Sequence, residues 1–219
     1  MFVTLEGCDG SGKTSTLDFL YLILQQLGVE VYRFAEPGST LLGQKIRQFL
    51  LDGAAPVPMA ELLMFCAARA EFTETVLKPL IAEKPNAIIF CDRFYDSTLA
   101  YQGYGRQIDL RKVEEIVQRT CADVSPDLTL FLDIAPEKAL VRRGDAGSLN
   151  RLDQESLDFH QRVYAGYKYM SSVQYTSHTW RRNCWLVINA DRPQDIVCLD
   201  AFAVVWGKYL TTKKERSMK

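Results

Sequence analysis

Residues 7–14 read GCDGSGKT, directly after the apolar run FVTL and a single acidic residue, Glu6. The pattern is G-x-x-x-x-G-K-[ST], supplied by Gly7, Cys8, Asp9, Gly10, Ser11, Gly12, Lys13 and Thr14. A segment of this kind works in one local geometry. Glycines let successive backbone N–H groups turn inward around a phosphate chain, and the helix that follows points its positive end at the same place. Lys13 would then reach the β- and γ-phosphates of a nucleotide, and the Thr14 hydroxyl would ligate Mg2+. A chance glycine-rich turn is the alternative. Here, however, the segment lies between a β-rich run and an amphipathic helical pattern, as the mechanism requires.

The same alternation continues along the chain. β-rich runs occur at FVTLE (2–6), VEVYRFA (29–35), AIIFC (87–91), LTLFLD (128–133) and CWLVIN (184–189). Several are apolar almost throughout, as strands covered on both faces are. Between the first two, Leu17, Leu20, Ile23, Leu24 and Leu27 recur at helical spacing, and Gly28 follows as a helix stop. Helices are also expected over 59–82, 155–176 and 193–210, the last opening on a proline suited to a first turn. Strands alternating with helices give an α/β fold of three layers, a five-stranded parallel sheet between helices. Residues 1–219 read as one domain, with KKERSMK as a solvated end.

Composition narrows the function. The formal net charge is −1, which argues against a nucleic acid or an anionic membrane as main partner. The apolar run LTLFL (128–132) is far too short to span a bilayer. The glycine-rich loop begins too soon for a signal segment. Six scattered cysteines with no C-x-x-C pair, and only two histidines, argue against structural zinc and for a reducing, cytoplasmic setting. Each cysteine reads as a small buried apolar residue.

Asp92 ends the apolar run AIIFC, where a protein with this loop holds its magnesium, and Arg93 follows it. An aspartate capping the next segment is the plainer reading of Asp92 taken alone. Single arginines then stand among aromatics: Arg47, Phe65 with Arg69 four residues on, and Arg93. Four residues apart on a helix is one face, so a ring and a planar cation can meet one ligand, the base stacking on Phe65 while Arg69 bonds its carbonyl edge. From periodicity alone, a core phenylalanine beside a surface arginine is the better reading of the spacing. Asp9 is odd, because a carboxylate inside a phosphate loop repels polyphosphate unless it faces a hydroxyl or a hydrated metal. No N-K-x-D segment of the guanine-reading kind is present.

Taken together, GCDGSGKT, EPGST (36–40), LMFCAAR (63–69), CDRFYDSTLAYQGYGR (91–106), PDLTLFLD (126–133) and NRLDQES (150–156) resemble bacterial thymidylate kinases, in order and spacing along nearly the whole chain. The resemblance implies a nucleoside-monophosphate-kinase fold, ATP with Mg2+, thymidine monophosphate as acceptor, and a homodimer. Carried over by motif position, it implies that Phe65 stacks on thymine while Arg69 and Gln102 bond the base or its surroundings. Arg47 and Arg93 would grip the acceptor phosphate, and Asp9 would meet the sugar 3′-hydroxyl. Thr98 falls at a small hydroxyl position near the base, and Tyr101 would crowd the sugar's 2′ position. Glu36 and Pro37 would shape the site floor, and Ala190 and Asp191 would flank adenine, although a plain turn fits them nearly as well.

Phosphoryl transfer onto an existing phosphate anion needs alignment and charge neutralisation rather than proton chemistry. Lys13, Arg93 and Asp9 are the expected catalytic groups, with Thr14 and Asp92 toward the metal. Relatives place a further arginine either in the phosphate loop or in a lid; here position 10 is glycine. The lid, at about 142–153, keeps Arg142, Arg143 and Arg151, of which Arg142 or Arg143 is expected over the β- and γ-phosphates on closure. Surface cations at a helix end are the other reading of that pair. Two competing functions stay open: a deoxynucleoside kinase, and a nucleotide-binding regulator without turnover.

Overall fold

Every residue of β1 (Phe2–Glu6) is buried, which only the middle of a covered sheet allows. In the computed structural model, which describes residues 1–53, 55–121, 123–145, 147, 149–172 and 184–217, β1 lies between β3 (Ile88–Asp92) and β4 (Leu128–Asp133). Outside them lie β2 (Val31–Ala35) against β3 and β5 (Trp185–Asn189) against β4. All four pairings are parallel, with Leu5 opposite both Asp92 and Leu130. The carboxyl ends of β1 and β3 therefore come level, and Glu6, Asp92 and the phosphate loop share one edge of the sheet. That edge is where an open parallel sheet binds ligands.

Side-chain alternation splits the core into two layers. Val3, Leu5, Phe90 and Leu130 pack on one face with Leu17, Leu20 and Leu24 of α1 (Lys13–Gln26) and Val197, Ala201 and Val205 of α9 (Gln194–Ser217). Phe2, Ile89, Cys91 and Phe131 pack on the other, with Leu62 and Phe72 of α3 (Pro58–Phe72) and Val163 and Tyr167 of α8 (Leu157–Ser171). The helix expected over 59–82 is one helical course in three parts: α3, a π-helical turn at Thr73–Leu77, and α4 (Lys78–Glu83). The helix expected over 155–176 is α8; residues 173–176 lie outside the described residues.

Four elements lie outside the expected helices: α2 (Leu41–Asp52), α5 (Tyr95–Thr98) with the π-helical Leu99–Gly105, α6 (Leu110–Thr120) and α7 (Pro136–Asp145). The run YDSTLAYQGYG is a poor helix former by propensity. Packing against α8 is what makes it helical. Gly105 lets the two elements touch, since a Cβ there would stand 2.7 Å from Phe159 Cε2 and 2.8 Å from Val163 Cγ2. Gly105→Ala should therefore cost about 1–3 kcal/mol, the usual scale of overpacking, read as a lowered midpoint in urea unfolding with an unchanged slope.

Candidate active site

Asp92 passes the chain from β3 to Arg93, whose φ of 69° lies in the left-handed region that a non-glycine residue rarely adopts. Two hydrogen bonds impose it: Arg93 N donates to Leu5 O at 3.0 Å, and Phe94 N donates to Glu6 Oε1 at 2.8 Å. The Arg93 side chain is then sent across the carboxyl end of β1. Its Nη2 donates to Asp9 Oδ1 at 2.6 Å and to the Tyr101 hydroxyl at 3.0 Å. Its Nη1 donates to Ser97 Oγ and to the Tyr167 hydroxyl, each at 3.1 Å. Four side chains from three parts of the chain fix one guanidinium.

This arrangement answers why Asp9 is tolerated in the loop. Its partners in the protein are Arg93 and Tyr101, whose hydroxyl donates to Oδ2 at 2.7 Å. Burial raises the Asp9 pKa, but the pull of Arg93 and Lys13 and the Tyr101 hydrogen bond outweigh it and hold the carboxyl below the usual carboxylate range. Beneath Arg93, Glu6 is fully buried and accepts from Phe94 N, Ser97 Oγ and Tyr167. Burial pushes its pKa up, opposed by the Ser97 hydrogen bond and by Arg93.

Lys13, at the start of α1, is 6% exposed and donates to the carbonyls of Gly7 (3.1 Å) and Cys8 (2.9 Å). Burial, and after it the nearby Arg93, lower its pKa. Thr14 Oγ1 donates to Asp92 Oδ2 at 3.2 Å, while Asp92 Oδ1 is buried without a hydrogen-bond partner. An all-oxygen pair with an unsatisfied carboxylate oxygen suits a hard, hydrated divalent cation. Burial pushes the Cys8 thiol up to about 12, the behaviour of a packing residue. Gly10, at φ 83°, abuts α7: a Cβ there would stand 1.9 Å from Ala139 O. The loop therefore has no room for a side chain at this position.

Two cavities open on Arg93. The smaller, with about 540 Å3 of empty space, is lined by Asp9, Glu36, Pro37, Arg47, Phe65, Arg69, Thr98, Tyr101 and Gln102 besides Arg93. The larger, about 1380 Å3, runs along Gly10, Gly12, Lys13, Thr14 and Asp92 to Arg142 and Arg143. Gly7, Cys8 and Ser11 lie behind the loop wall, with Cys8 and Ser11 buried. Asp9, Glu36, Arg47, Arg93 and Asn150 border both cavities. Arg69 is 2% exposed and already committed: it donates to Glu36 Oε2 (2.6 Å), Thr98 Oγ1 (2.6 Å) and Phe94 O (3.0 Å). Glu36, joined to Pro37 by a cis bond, keeps Oε1 buried and unpartnered. Arg47 Nη1 donates to Pro37 O at 3.0 Å.

The lid arginines divide by role. Arg142 Nη1 donates to Ala190 O at 2.8 Å, beside Asp191, and Arg143 pairs with Asp153 at 3.0 Å. Arg151 faces away from the loop. It donates to Glu61 Oε2 (2.7 Å) and Leu50 O (2.9 Å), and the same buried Glu61 accepts from Arg106 and from Gln102 Nε2. Sequence reasoning left Leu51, Asn150, Leu152, Ser97 and Gln194 out of the cavity walls, and Tyr167 and Glu6 out of the support of Arg93. Glu6 did carry a signal: it is the one charged residue closing an otherwise apolar strand next to the loop.

A family model for thymidylate kinase matches residues 5–195. The thymidylate kinase of Synechococcus sp. (strain JA-2-3B'a(2-13)) is 44% identical over 174 residues, 80% of this chain and 82% of that one. That of Thermomicrobium roseum is 40% identical over 205 residues, 93% of each. The crystal structure of thymidylate kinase from Ehrlichia chaffeensis superposes with a TM-score of 0.72 at 32% identity, covering 94% of this chain and 98% of that one.

The Asp9–Arg93 pair gives stability a pH dependence of known sign. A carboxyl held below its ordinary pKa contributes fully above about pH 4 and loses that contribution as pH falls toward the depressed folded value. Asp9→Asn should cost about 1.5–3 kcal/mol at pH 7, the scale of a hydrogen bond to a charged group. In thermal melts the gap between variant and parent should close progressively below about pH 4, where the parent's advantage titrates away.

Proposed function

The chain belongs to the thymidylate kinase family, and on that footing we propose that its two nucleotides meet across Arg93, ATP in the larger cavity and dTMP in the smaller. The enzyme transfers the γ-phosphate of ATP to dTMP, giving dTDP and ADP for dTTP synthesis. The family assignment sets aside a deoxynucleoside kinase and a regulator without turnover. The observation that carries the site reading is a guanidinium shared by two cavities and held by the protein's own side chains.

In this reading the backbone amides from Gly7 to Thr14, with Cys8, Gly10, Ser11 and Gly12 among them, wrap the ATP phosphates at the N-terminus of α1. Lys13 leaves its carbonyl partners to neutralise the β- and γ-phosphates. Thr14 and Asp92 would hold Mg2+, which when bound would draw charge from the phosphate oxygens. Arg93 screens donor from acceptor phosphate, and Arg47, bordering both cavities, grips the acceptor phosphate from the other side. Phe65 offers its ring to thymine. Arg69, locked on Glu36 and Thr98, turns its remaining donors toward the base edge with Gln102. Pro37 closes the floor through its carbonyl on Arg47. Asp9, with one partner on each oxygen, keeps lone pairs for the sugar 3′-hydroxyl, and Tyr101 crowds the 2′ position.

Arg142 and Arg143 approach the larger cavity from the last turn of α7 and move over the β- and γ-phosphates as segment 142–153 closes. Within that segment Ala146 and Ser148 lie outside the described residues. Six free cysteines, five of them buried, fit a cytoplasmic enzyme. Among the described residues no helix is long and apolar enough to cross a membrane. Exposed Leu42 and Phe49 on α2 and Leu63 on α3 supply an apolar face for a homodimer, whose doubled mass light scattering would show.

An ADP-release assay across nucleoside monophosphates and thymidine tests the assignment. Turnover should require a monophosphate and be highest with dTMP. Lys13→Ala and Arg93→Ala should each lower kcat by about 10²–10³-fold, the effect of losing a preorganised donor, while circular dichroism stays native. At least one of Arg142→Ala and Arg143→Ala should also lose turnover; two fully active variants would leave the lid without a chemical part.

A further inference from the structure

Glu6 spends a buried charge at a place where an apolar side chain would close the strand with less desolvation cost, since an interior carboxylate carries a penalty of several kcal/mol. Its two oxygens are divided. Oε1 takes the Phe94 N–H at 2.8 Å and so holds the turn that gives Arg93 its left-handed backbone. Oε2 takes Ser97 Oγ at 2.6 Å and the Tyr167 hydroxyl at 3.0 Å. Those two hydroxyls are also the acceptors for Arg93 Nη1.

A hydroxyl has one proton, so its direction decides what its lone pairs can do. Ser97 and Tyr167 lie 2.8 Å apart and either can donate to the other. In each arrangement the chain of protons ends on Glu6, and lone pairs remain for the guanidinium. Arg93 is a donor only. Turned the other way, the hydroxyl protons would oppose its N–H groups.

We infer that Glu6 is a positioning residue for phosphoryl transfer: acting through Ser97 and Tyr167, its carboxylate orients two hydroxyls as acceptors and so holds the Arg93 guanidinium between the two nucleotide cavities. This rests on the reading of Arg93 as the cation between donor and acceptor phosphates. Glu6 touches neither cavity itself; its whole effect on turnover passes through the two hydroxyls and the turn at Phe94.

Glu6→Gln isolates the effect, because the amide keeps the shape and one acceptor oxygen but replaces the other with a donor. It should lower kcat by about 10–100-fold, the size usual for a supporting partner of a site group. The KM values for ATP and dTMP and the melting temperature should stay near those of the parent, which a merely structural role would not allow. Ser97→Ala with Tyr167→Phe should reproduce the kcat loss, and adding Glu6→Gln to that pair should cost little more. Parental kcat in Glu6→Gln overturns the inference. So does a Ser97→Ala/Tyr167→Phe enzyme with parental kcat, which decides the matter alone should Glu6→Gln fail to fold. Arg93→Ala assayed alongside separates the two levels: an active Arg93→Ala sinks the site reading itself, whereas an inactive one beside a fully active Glu6→Gln sinks only the inference.

Discussion

A guanidinium pinned at the carboxyl edge of a parallel sheet organises this molecule. Arg93 takes an unfavourable backbone conformation, and the cost is met by two bonds to the neighbouring strand, Arg93 N donating to the Leu5 carbonyl and Phe94 N to the Glu6 carboxylate. The register that places Leu5 beside Asp92 makes those bonds possible. Asp9, Ser97, Tyr101 and Tyr167 then converge on one side chain from the loop, the helical run after β3 and α8. Remove the register and none of the four would meet.

Charge is balanced locally rather than over the whole surface. Lys13 and Arg93 stand among Glu6, Asp9 and Asp92, so the loop presents cations without stranding them between turnovers. Asp9, within the loop itself, is the key counterion and answers Lys13 as well as Arg93. In the wall of the smaller cavity Arg69 and Glu36 repeat the principle in a buried pair. Both pairs are held by the protein's own hydrogen bonds, the kind of preorganisation from which electrostatic catalysis draws its advantage.

Much of the architecture was legible in the chain. β-rich runs placed all five strands within about two residues, and the three central ones are apolar almost throughout because both faces of the sheet are covered there. The helical run Tyr95–Gly105 was not, because its propensity is poor and α8, far along the chain, makes it helical. The loop announced itself through glycine spacing. Phe65 and Arg69 could not be told from a core ring and a surface cation by periodicity; family resemblance singled them out, and the fold sets both on one cavity wall. Ser97 and Tyr167 escaped notice because their bonds to Glu6 join residues 91 and 161 positions apart, which no local pattern encodes.

The contact between Gly10 and α7 bears on how enzymes of this architecture diverge. With the Ala139 carbonyl seated against the loop, a bare α-carbon is the only occupant that fits. An arginine sprouting from the loop and a helix lying this close are mutually exclusive designs. Divergence at position 10 is therefore tied to where α7 lies: any side chain there would have to push the helix outward.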